Sequence, residues 1–182
     1  MKAPTCVLLV VALIAVCGCG KQEESAKAAS PPHVDIHLAA LQGHTDAIRQ
    51  HIAAGSNLDE RDEYGSSPLI IAATFGRTEV ARLLVEAGAD AGVRNNDGST
   101  ALHISAFLCR TEIVKILLDN GADRRATNKS GRTALDTVAG PFEAVRGIYD
   151  QLAKGLKPLG LRLDYERIKR TRPQIARMLQ ET

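Results

Sequence analysis

The sequence is poor in aromatic residues and has almost no net charge. Its 182 residues include three tyrosines, three phenylalanines and no tryptophan, and the formal net charge is +2. Proteins that bind DNA or RNA usually carry a basic surface, so we expect no nucleic-acid partner. With 45% hydrophobic and 24% charged residues, the chain is neither a disordered polar tract nor a polytopic membrane protein. This composition predicts one modest folded domain.

Long hydrophobic runs are missing except at the amino terminus. Residues 7–16 are apolar throughout and follow Lys2. A run of about ten residues is too short to cross a bilayer as a helix, which takes roughly 20. The pattern is typical of a secretory signal, and we interpret residues 1–18 as a signal peptide that is removed.

At the end of this signal, Ala-Val-Cys-Gly at 15–18 places a small residue directly before Cys19. This segment resembles a bacterial lipobox. The resemblance implies that the Cys19 sulfur accepts a diacylglycerol and that its freed amine accepts a further acyl chain, which together anchor a protein stably. We therefore expect a lipid-anchored protein of the bacterial cell envelope, on its periplasmic or outer-membrane face. Ordinary secretion with Cys19 as a spare thiol is the alternative.

Cysteine is scarce in the remainder of the chain. Of four cysteines, Cys6, Cys17 and Cys19 lie in the predicted signal or at its end. Only Cys109 is left for the folded part, which excludes an internal disulfide framework. We expect a small surface or half-buried thiol there, because no base is placed to activate it as a nucleophile.

The strongest positive feature is a period of 33 residues. Glycine recurs with this spacing in three registers and alanine in a fourth. These registers are Gly65, Gly98 and Gly131; Gly55, Gly88 and Gly121; Gly43 and Gly76, with Cys109 at the next step; and Ala40, Ala73 and Ala106. Internal repeats of this length indicate a solenoid of stacked units.

Each unit is predicted to contain two short helices. Ser67, Thr100 and Thr133 are placed to cap the first helix. Apolar residues at i, i+3, i+4 and i+7 from Val80 indicate the second helix, and Gly88 can end it in a left-handed conformation. Such a pair cannot bury its apolar face alone, so neighbouring units must stack.

These residues resemble ankyrin repeats. Residues 65–73 and 98–106 match the opening Gly-x-Thr-Pro-Leu-His-x-Ala-Ala, and residues 78–90 and 111–123 match Glu-Val-Val-x-Leu-Leu-x-x-Gly-Ala-Asp. The resemblance implies an all-α solenoid of helix-turn-helix units with short β-hairpin loops. It also implies binding to another protein as a scaffold or regulator.

The terminal units depart from this pattern. Gly140-Pro141 interrupts the last unit, whose second helix we expect at residues 142–154, and Asp164 is placed to cap a further helix that is restarted at Pro173. We expect this end to cover the stack. The predicted organisation is a signal at 1–18, a flexible tether at 19–33, ankyrin repeats at 34–138, and an atypical last repeat with a helical carboxyl-terminal cap at 139–182.

Residues 154–182 carry eight lysines or arginines against three acidic residues. Contact with anionic lipid headgroups is one interpretation of this charge. We favour a solvated helical face whose apolar residues turn inward.

Motifs for catalysis and metal binding are missing. No phosphate-binding, dinucleotide-binding, nucleophile or zinc-protease pattern occurs, so we expect no enzyme activity, cofactor or small-molecule substrate. A hydrolase is the less favoured alternative. We expect structural or solvated roles for His37, His44 and His51, since no cysteine or carboxylate cluster completes a metal shell. By the resemblance, His103 bonds a nearby backbone or hydroxyl group.

The predicted binding surface consists of loop tips and the inner face of the first helices, which solenoids present as a concave face. By the resemblance, its residues are Arg61, Glu63, Tyr64, Ser66, Thr74, Phe75, Arg94, Asn96, Asp97, Ser99, Phe107 and Leu108. Aromatic rings and arginines are typical of interface hot spots. Packing of Phe75, Phe107 and Leu108 between repeats is the alternative, so Tyr64 and Arg94 are the stronger candidates. We expect a monomer with one protein partner, which could be an envelope enzyme that the chain assembles or protects.

Overall fold

The computed structural model describes residues 33–180, so the predicted signal, Cys19 and most of the tether lie outside the described residues. Within that range the chain is helical and contains no strand, which confirms the all-α prediction. The helices are α1 Ile36–Gln42, α2 Thr45–Ala53, α3 Pro68–Phe75, α4 Thr78–Glu86, α5 Ala101–Phe107, α6 Thr111–Asp119, α7 Asp136–Ala139, α8 Phe142–Leu156 and α9 Tyr165–Gln180, with a 3-10 turn at Lys157–Leu159. None of these helices is both long and apolar enough to cross a membrane.

The helices form two layers. The inner layer is α1, α3, α5 and α7, and each of these helices packs against the next one in that order. The outer layer is α2, α4 and α6, again packed in sequence. The alanine register lies between the inner helices, where Ala40, Ala73 and Ala106 are fully buried. Small side chains at this position allow neighbouring helices to approach closely, which explains why the sequence repeats alanine there.

The predicted helix caps are confirmed at Ser67 and Thr100, whereas Leu135 and not Thr133 lies at the N-cap position of α7. The Ser67 hydroxyl accepts the Ile70 N–H at 3.4 Å. Thr100 pairs with His103 in a reciprocal capping arrangement, and Thr133 pairs with Asp136 through bonds of 2.7 to 3.3 Å. A side-chain oxygen at this position satisfies an N–H group that the first helical turn leaves free.

The loop tips are tight turns rather than extended hairpins. In each tip an N–H group donates to the carbonyl four residues later at 2.9 to 3.0 Å. The pairs are Asp62–Ser66, Asn95–Ser99 and Asn128–Arg132. One such bond per tip is too few to form a strand ladder, so the β-hairpin character expected at these loops is limited to the turns.

The carboxyl-terminal helices correct two sequence predictions. The helix expected at residues 142–154 is confirmed as α8, but it is not the second helix of the last unit, because α9 packs against α7 and α6 and takes that outer position. The physical reason is its apolar face, since Ile168 and Ile175 are fully buried and Leu179 nearly so. As expected, this end of the chain covers the stack.

A helix restart at Pro173 is also wrong, because α9 runs unbroken through that residue. Proline lacks the N–H that would bond the Lys169 carbonyl, a loss of about 3 kcal/mol in a helix interior. Burial of Ile168 and Ile175 on either side is worth about 1.5–3 kcal/mol for each side chain. Packing therefore outweighs the local penalty.

An arginine links each unit to the one before it. Arg77 Nε donates to the Leu41 carbonyl at 2.8 Å, and Arg110 Nη2 donates to the Thr74 carbonyl at 3.1 Å. Both acceptors lie near the carboxyl end of an inner helix, where carbonyl groups lack helical partners. A similar contact joins α9 to the third unit, where Arg167 Nη1 donates to the Cys109 carbonyl at 2.9 Å.

Cys109 is fully buried, which corrects the expectation of a surface or half-buried thiol. It occupies the register of Gly43 and Gly76 with a left-handed φ of 53°. Its Sγ lies 3.7 Å from the Ile168 carbonyl of α9. The thiol is covered because α9 packs over the end of the solenoid.

Candidate partner-binding groove

Helix α8 lies against the concave face of the inner helices, and its first half is fastened to α5. The Tyr149 ring stacks on Phe107 with centroids 4.3 Å apart and planes 8° from parallel. The Tyr149 hydroxyl donates to the Phe107 carbonyl at 2.5 Å. Beside this stack, Val145 and Ile148 line a cavity of about 350 Å³ next to Phe107. Part of the predicted binding face is thus covered by the chain itself.

Arg172 of α9 holds Tyr149 from the other side. Its Nη1 donates to the Tyr149 hydroxyl at 3.0 Å, and its Nη2 donates to the Gly140 carbonyl at 3.0 Å. Arg172 is 3% exposed and Tyr149 is completely buried. Burial raises the pKa of Tyr149 to about 12, and the Arg172 charge acts in the opposite direction. The basic residues of 154–182 were expected on a solvated helical face. For Arg172 this expectation is wrong, because its side chain is buried.

The second half of α8 faces α1 and α3 across a cavity of about 510 Å³, which we call the concave groove. Its volume falls within the range of about 300–1,000 Å³ that is typical of ligand pockets. Apolar side chains form both walls. They are Leu38 and Leu41 from α1, Ile70 and Phe75 from α3, and Leu152, Leu156 and Leu159 on the opposite side.

Large exposed hydrophobic side chains converge on this groove. In residues 33–180 these are Leu38, Tyr64, Ile148 and Leu159, which are 44%, 67%, 50% and 50% exposed. Three of them line the groove, and Ile148 lines the adjacent smaller cavity. Clustered exposed apolar residues typically mark an interaction site. This cluster is the strongest binding feature of the described chain.

A comparison with protein families identifies the repeats. The model that describes ankyrin repeats in three copies matches residues 36–128, and a second, overlapping match covers residues 87–155. The chain belongs to the ankyrin repeat family. Members of this family are generally non-catalytic modules that bind other proteins. None of the curated proteins compared with the chain matches it.

Five of the twelve predicted binding residues of this ankyrin solenoid line the concave groove. They are Tyr64, Ser66, Thr74, Phe75 and Asp97. Phe75 was expected either at the interface or packed between repeats, and its half-buried ring forms part of the groove wall. The structure therefore brings together predicted residues from two successive units.

The arginines at the ankyrin loop tips are engaged within the solenoid. Arg61 Nε donates to the Gly65 carbonyl at 3.1 Å. Arg94 Nη1 donates to the Thr127 and Gly98 carbonyls at 2.5 and 3.2 Å. Both side chains line a separate depression outside the groove. Arg94, a stronger candidate from the sequence, thus links consecutive loop tips.

Asn96 and Glu63 also connect two tips, since Asn96 Nδ2 donates to the Glu63 carbonyl at 3.0 Å. Both residues are exposed but lie outside the groove lining. The backbone repeats this link, because the Asn96 N–H donates to the Tyr64 carbonyl at 2.9 Å. These contacts keep adjacent ankyrin tips in register.

Leu108 is not available to a partner, whereas Ser99 and the half-buried Phe107 line the smaller cavity beside α8. Leu108 is 1% exposed and belongs to the core, and Ser99 is 7% exposed. The Phe107 ring is covered by Tyr149. Leu108 is therefore packed inside the solenoid, in agreement with the alternative from the sequence. The partner of the Phe107 ring is α8, which lies on the concave face, rather than a neighbouring repeat.

The sequence interpretation missed the aliphatic residues that line the groove. Leu38, Ile71 and Ile104 all line the groove and are 33 residues apart. This register of large aliphatic residues could have extended the predicted surface into the first unit. Leu156 and Leu159 carry no repeat signal, because they enter the groove only through the position of α8.

The histidines have structural partners or face solvent. His103 lies 2.9 Å from the Thr100 hydroxyl and 3.0 Å from the Arg132 carbonyl, as expected. Burial lowers the pKa of His103. His51 approaches the Val34 carbonyl at 2.8 Å, His37 approaches the Glu60 carbonyl at 2.9 Å, and His44 is exposed. The described residues contain no group of three or more side chains that could hold a metal ion.

Proposed function

We propose that this chain is a non-catalytic protein-interaction module, a scaffold or regulator that binds one partner protein in the concave groove as a monomer. The observation that carries the proposal is the cluster of Leu38, Tyr64 and Leu159, three of the large exposed hydrophobic side chains within residues 33–180, around one apolar cavity. Aromatic and aliphatic anchors that meet at a hollow are typical of binding hot spots. The family adds a general preference for protein partners.

We further propose that the module works at the bacterial cell envelope, held there by acyl chains on Cys19. Support comes from the sequence, in which the apolar residues 7–16 and a small residue precede this cysteine. Residues 20–33 would then form the tether. Fourteen extended residues reach at most about 50 Å, so the partner must be at or near the same membrane.

Site-specific photo-crosslinking tests the proposed interaction. A photoreactive phenylalanine analogue is placed at Tyr64, which points to solvent beside the groove, and at Lys115, which is exposed on the outer helix α6. Irradiation of intact bacteria should join one specific protein to the chain through position 64. The matched chain labelled at position 115 should not capture that protein.

The same specific partner at both positions would move the interface away from the groove. If neither position captures a specific partner, the chain does not act as a protein-binding module in the cells tested.

A further inference from the structure

The concave groove has one polar edge at its loop-tip end. Tyr64, Ser66 and Asp97 lie there, and the backbone N–H groups of all three are hydrogen-bonded. Their side chains behave differently. The Tyr64 hydroxyl, the Ser66 hydroxyl and the Asp97 carboxylate make no hydrogen bond or ion pair with any other part of residues 33–180. Three hydrogen-bonding groups are thus free at the same edge of an apolar cavity.

This edge is acidic. Asp62 and Asp97 line the groove, whereas no lysine or arginine does. Arg61 and Arg94, from the same two loop tips, are bonded to backbone carbonyls and line a different depression. Asp62 accepts the N–H groups of Tyr64 and Ser66. Within residues 33–180 the Asp97 carboxylate makes no ion pair, and it lies between the apolar groove and the smaller cavity, which Lys129 and Arg132 also line.

The groove has two walls of different origin. Leu38 and Ile70 belong to inner helices that are fixed in the solenoid, and Leu156 and Leu159 follow the point where Tyr149 fastens α8. The second half of α8 stands opposite α1 and α3 without filling the space between them. Apolar side chains that enter the groove can therefore contact both walls.

The length of the groove limits the size of the occupant. Its lining reaches from α1 through α3 to α5. Packed helices lie 8–10 Å apart, so three inner helices extend over about 20 Å. A helix of about 13 residues covers this length at 1.5 Å for each residue.

We propose that the concave groove binds a short amphipathic segment of the partner protein, with apolar side chains held between α3 and α8 and a lysine or arginine at Asp97. This inference rests on the proposed function and specifies which side chains the partner segment carries. The apolar walls select leucine-like or aromatic anchors. The free carboxylate selects a cation and disfavours an acidic segment.

Tryptophan fluorescence measures this binding directly, since the chain contains no tryptophan. The probe is a synthetic 14-residue peptide, acetylated and amidated, with tryptophan and leucine at helical spacing and a single lysine at one end. Its twin carries glutamate in place of the lysine. The full chain is placed in phosphatidylcholine nanodiscs, so that no free detergent enters the groove, and empty nanodiscs give the lipid background.

The lysine peptide should bind saturably, with a blue-shifted emission above that background. The glutamate peptide should bind about fivefold more weakly. The Asp97→Asn variant should remove this difference, and Asp119→Asn, an exposed charge on α6, should preserve it. Equal binding of both peptides to the parent chain would overturn the role of Asp97.

Two variants test the apolar clamp. Leu159→Glu places a charge in the groove, and Ile148→Glu places the same charge in the neighbouring cavity, at a residue that is equally exposed, 50% in both cases. The first change should weaken binding of the lysine peptide at least tenfold, and the second should leave binding within twofold. Circular dichroism checks that both variants keep the parent's helical content.

The crosslink at Tyr64 separates the two proposals. If Tyr64 captures a partner but the peptide fails to bind, or binds Leu159→Glu as well as the parent, the clamp is wrong and the protein-binding function stands. If neither the partner nor the peptide binds, both proposals fail.

Discussion

Tyr149 joins α8 to Phe107, which lies 42 positions earlier in the chain, through a ring stack and a hydrogen bond. This pair covers the concave face of the third unit with part of the carboxyl-terminal segment. In the first two units the concave face is not covered in this way, and a cavity separates it from the second half of α8. The contact therefore decides which part of the ankyrin surface can receive a partner.

Loss of the Tyr149 side chain should destabilise the fold. Tyr149→Ala removes a fully buried ring and leaves Arg172 Nη1 without its acceptor, so we expect a loss of about 3–5 kcal/mol in the free energy of unfolding. Urea denaturation followed by circular dichroism measures this. Tyr64→Ala, at an exposed ring, is the control and should change stability by about 0.5 kcal/mol or less. Similar losses in the two variants would argue against the fastening role of Tyr149.

Glycine at position 76 should matter for two separate reasons. Its φ of +67° favours glycine, and an added Cβ would lie 2.9 Å from Arg110 Cζ. Gly55 has the same φ but open space around the added atom. Gly55→Ala should therefore cost about 1–2 kcal/mol from backbone strain alone.

Gly76→Ala should cost about 1 kcal/mol more than Gly55→Ala, because Arg110 must leave the Thr74 carbonyl. Thermal unfolding of the two variants gives the difference. Equal costs would show that the arginine moves aside freely.

The buried thiol of Cys109 should make stability depend on pH. Burial raises the pKa of Cys109 to about 11, although Arg172, Arg167 and Arg110 lower it. In the unfolded chain the thiol titrates at about 8.5. The folded state therefore holds this proton more tightly, and stability falls as the pH rises from about 9 to 11.

Over this range the free energy of unfolding should fall by about 2 kcal/mol more in the parent than in Cys109→Ala. Urea denaturation at pH 8, 9.5 and 11 provides the comparison. Cys109→Ala should still lose some stability with rising pH. Part of that loss comes from ionisation of Tyr149, because burial raises its pKa to about 12. Parallel pH profiles would show that Cys109 ionises as readily in the folded chain as in the unfolded one.

Acylation should depend on Cys19 and not on Cys17. We expect the parent chain to incorporate a palmitate analogue in bacteria and to sediment with membranes. Cys19→Ser should lose the label and enter the soluble envelope fraction, because two or more acyl chains are needed for stable anchoring. Cys17→Ser, two positions earlier, is the matched control and should keep both properties. Label that persists in Cys19→Ser would exclude this residue as the acceptor.

Local sequence patterns predicted the repeat unit well because its determinants lie close together in the chain. Ser67 and Thr100 cap helices within three residues, Thr133 pairs with Asp136 at the same spacing, and these partners recur with the period of 33 residues. The same period placed Tyr64 and Asp97 at loop tips, and both residues reach the groove. Arg94 was placed correctly at a tip, but its contact with the Thr127 carbonyl of the next tip could not be read from its own unit.

The sequence by itself determined the helix pairs and their stacking, because these depend on contacts within a unit or between similar neighbouring units. The same repeated residues identified the family. Only the tertiary structure decided how α8 and α9 are arranged. Both helices carry an apolar stripe, and nothing local tells which stripe fits the last unit. The burial of Ile168 and Ile175 against the solenoid and the stack of Tyr149 on Phe107 settle the choice together. That arrangement brings Leu156 and Leu159 opposite Leu38, and so creates the groove.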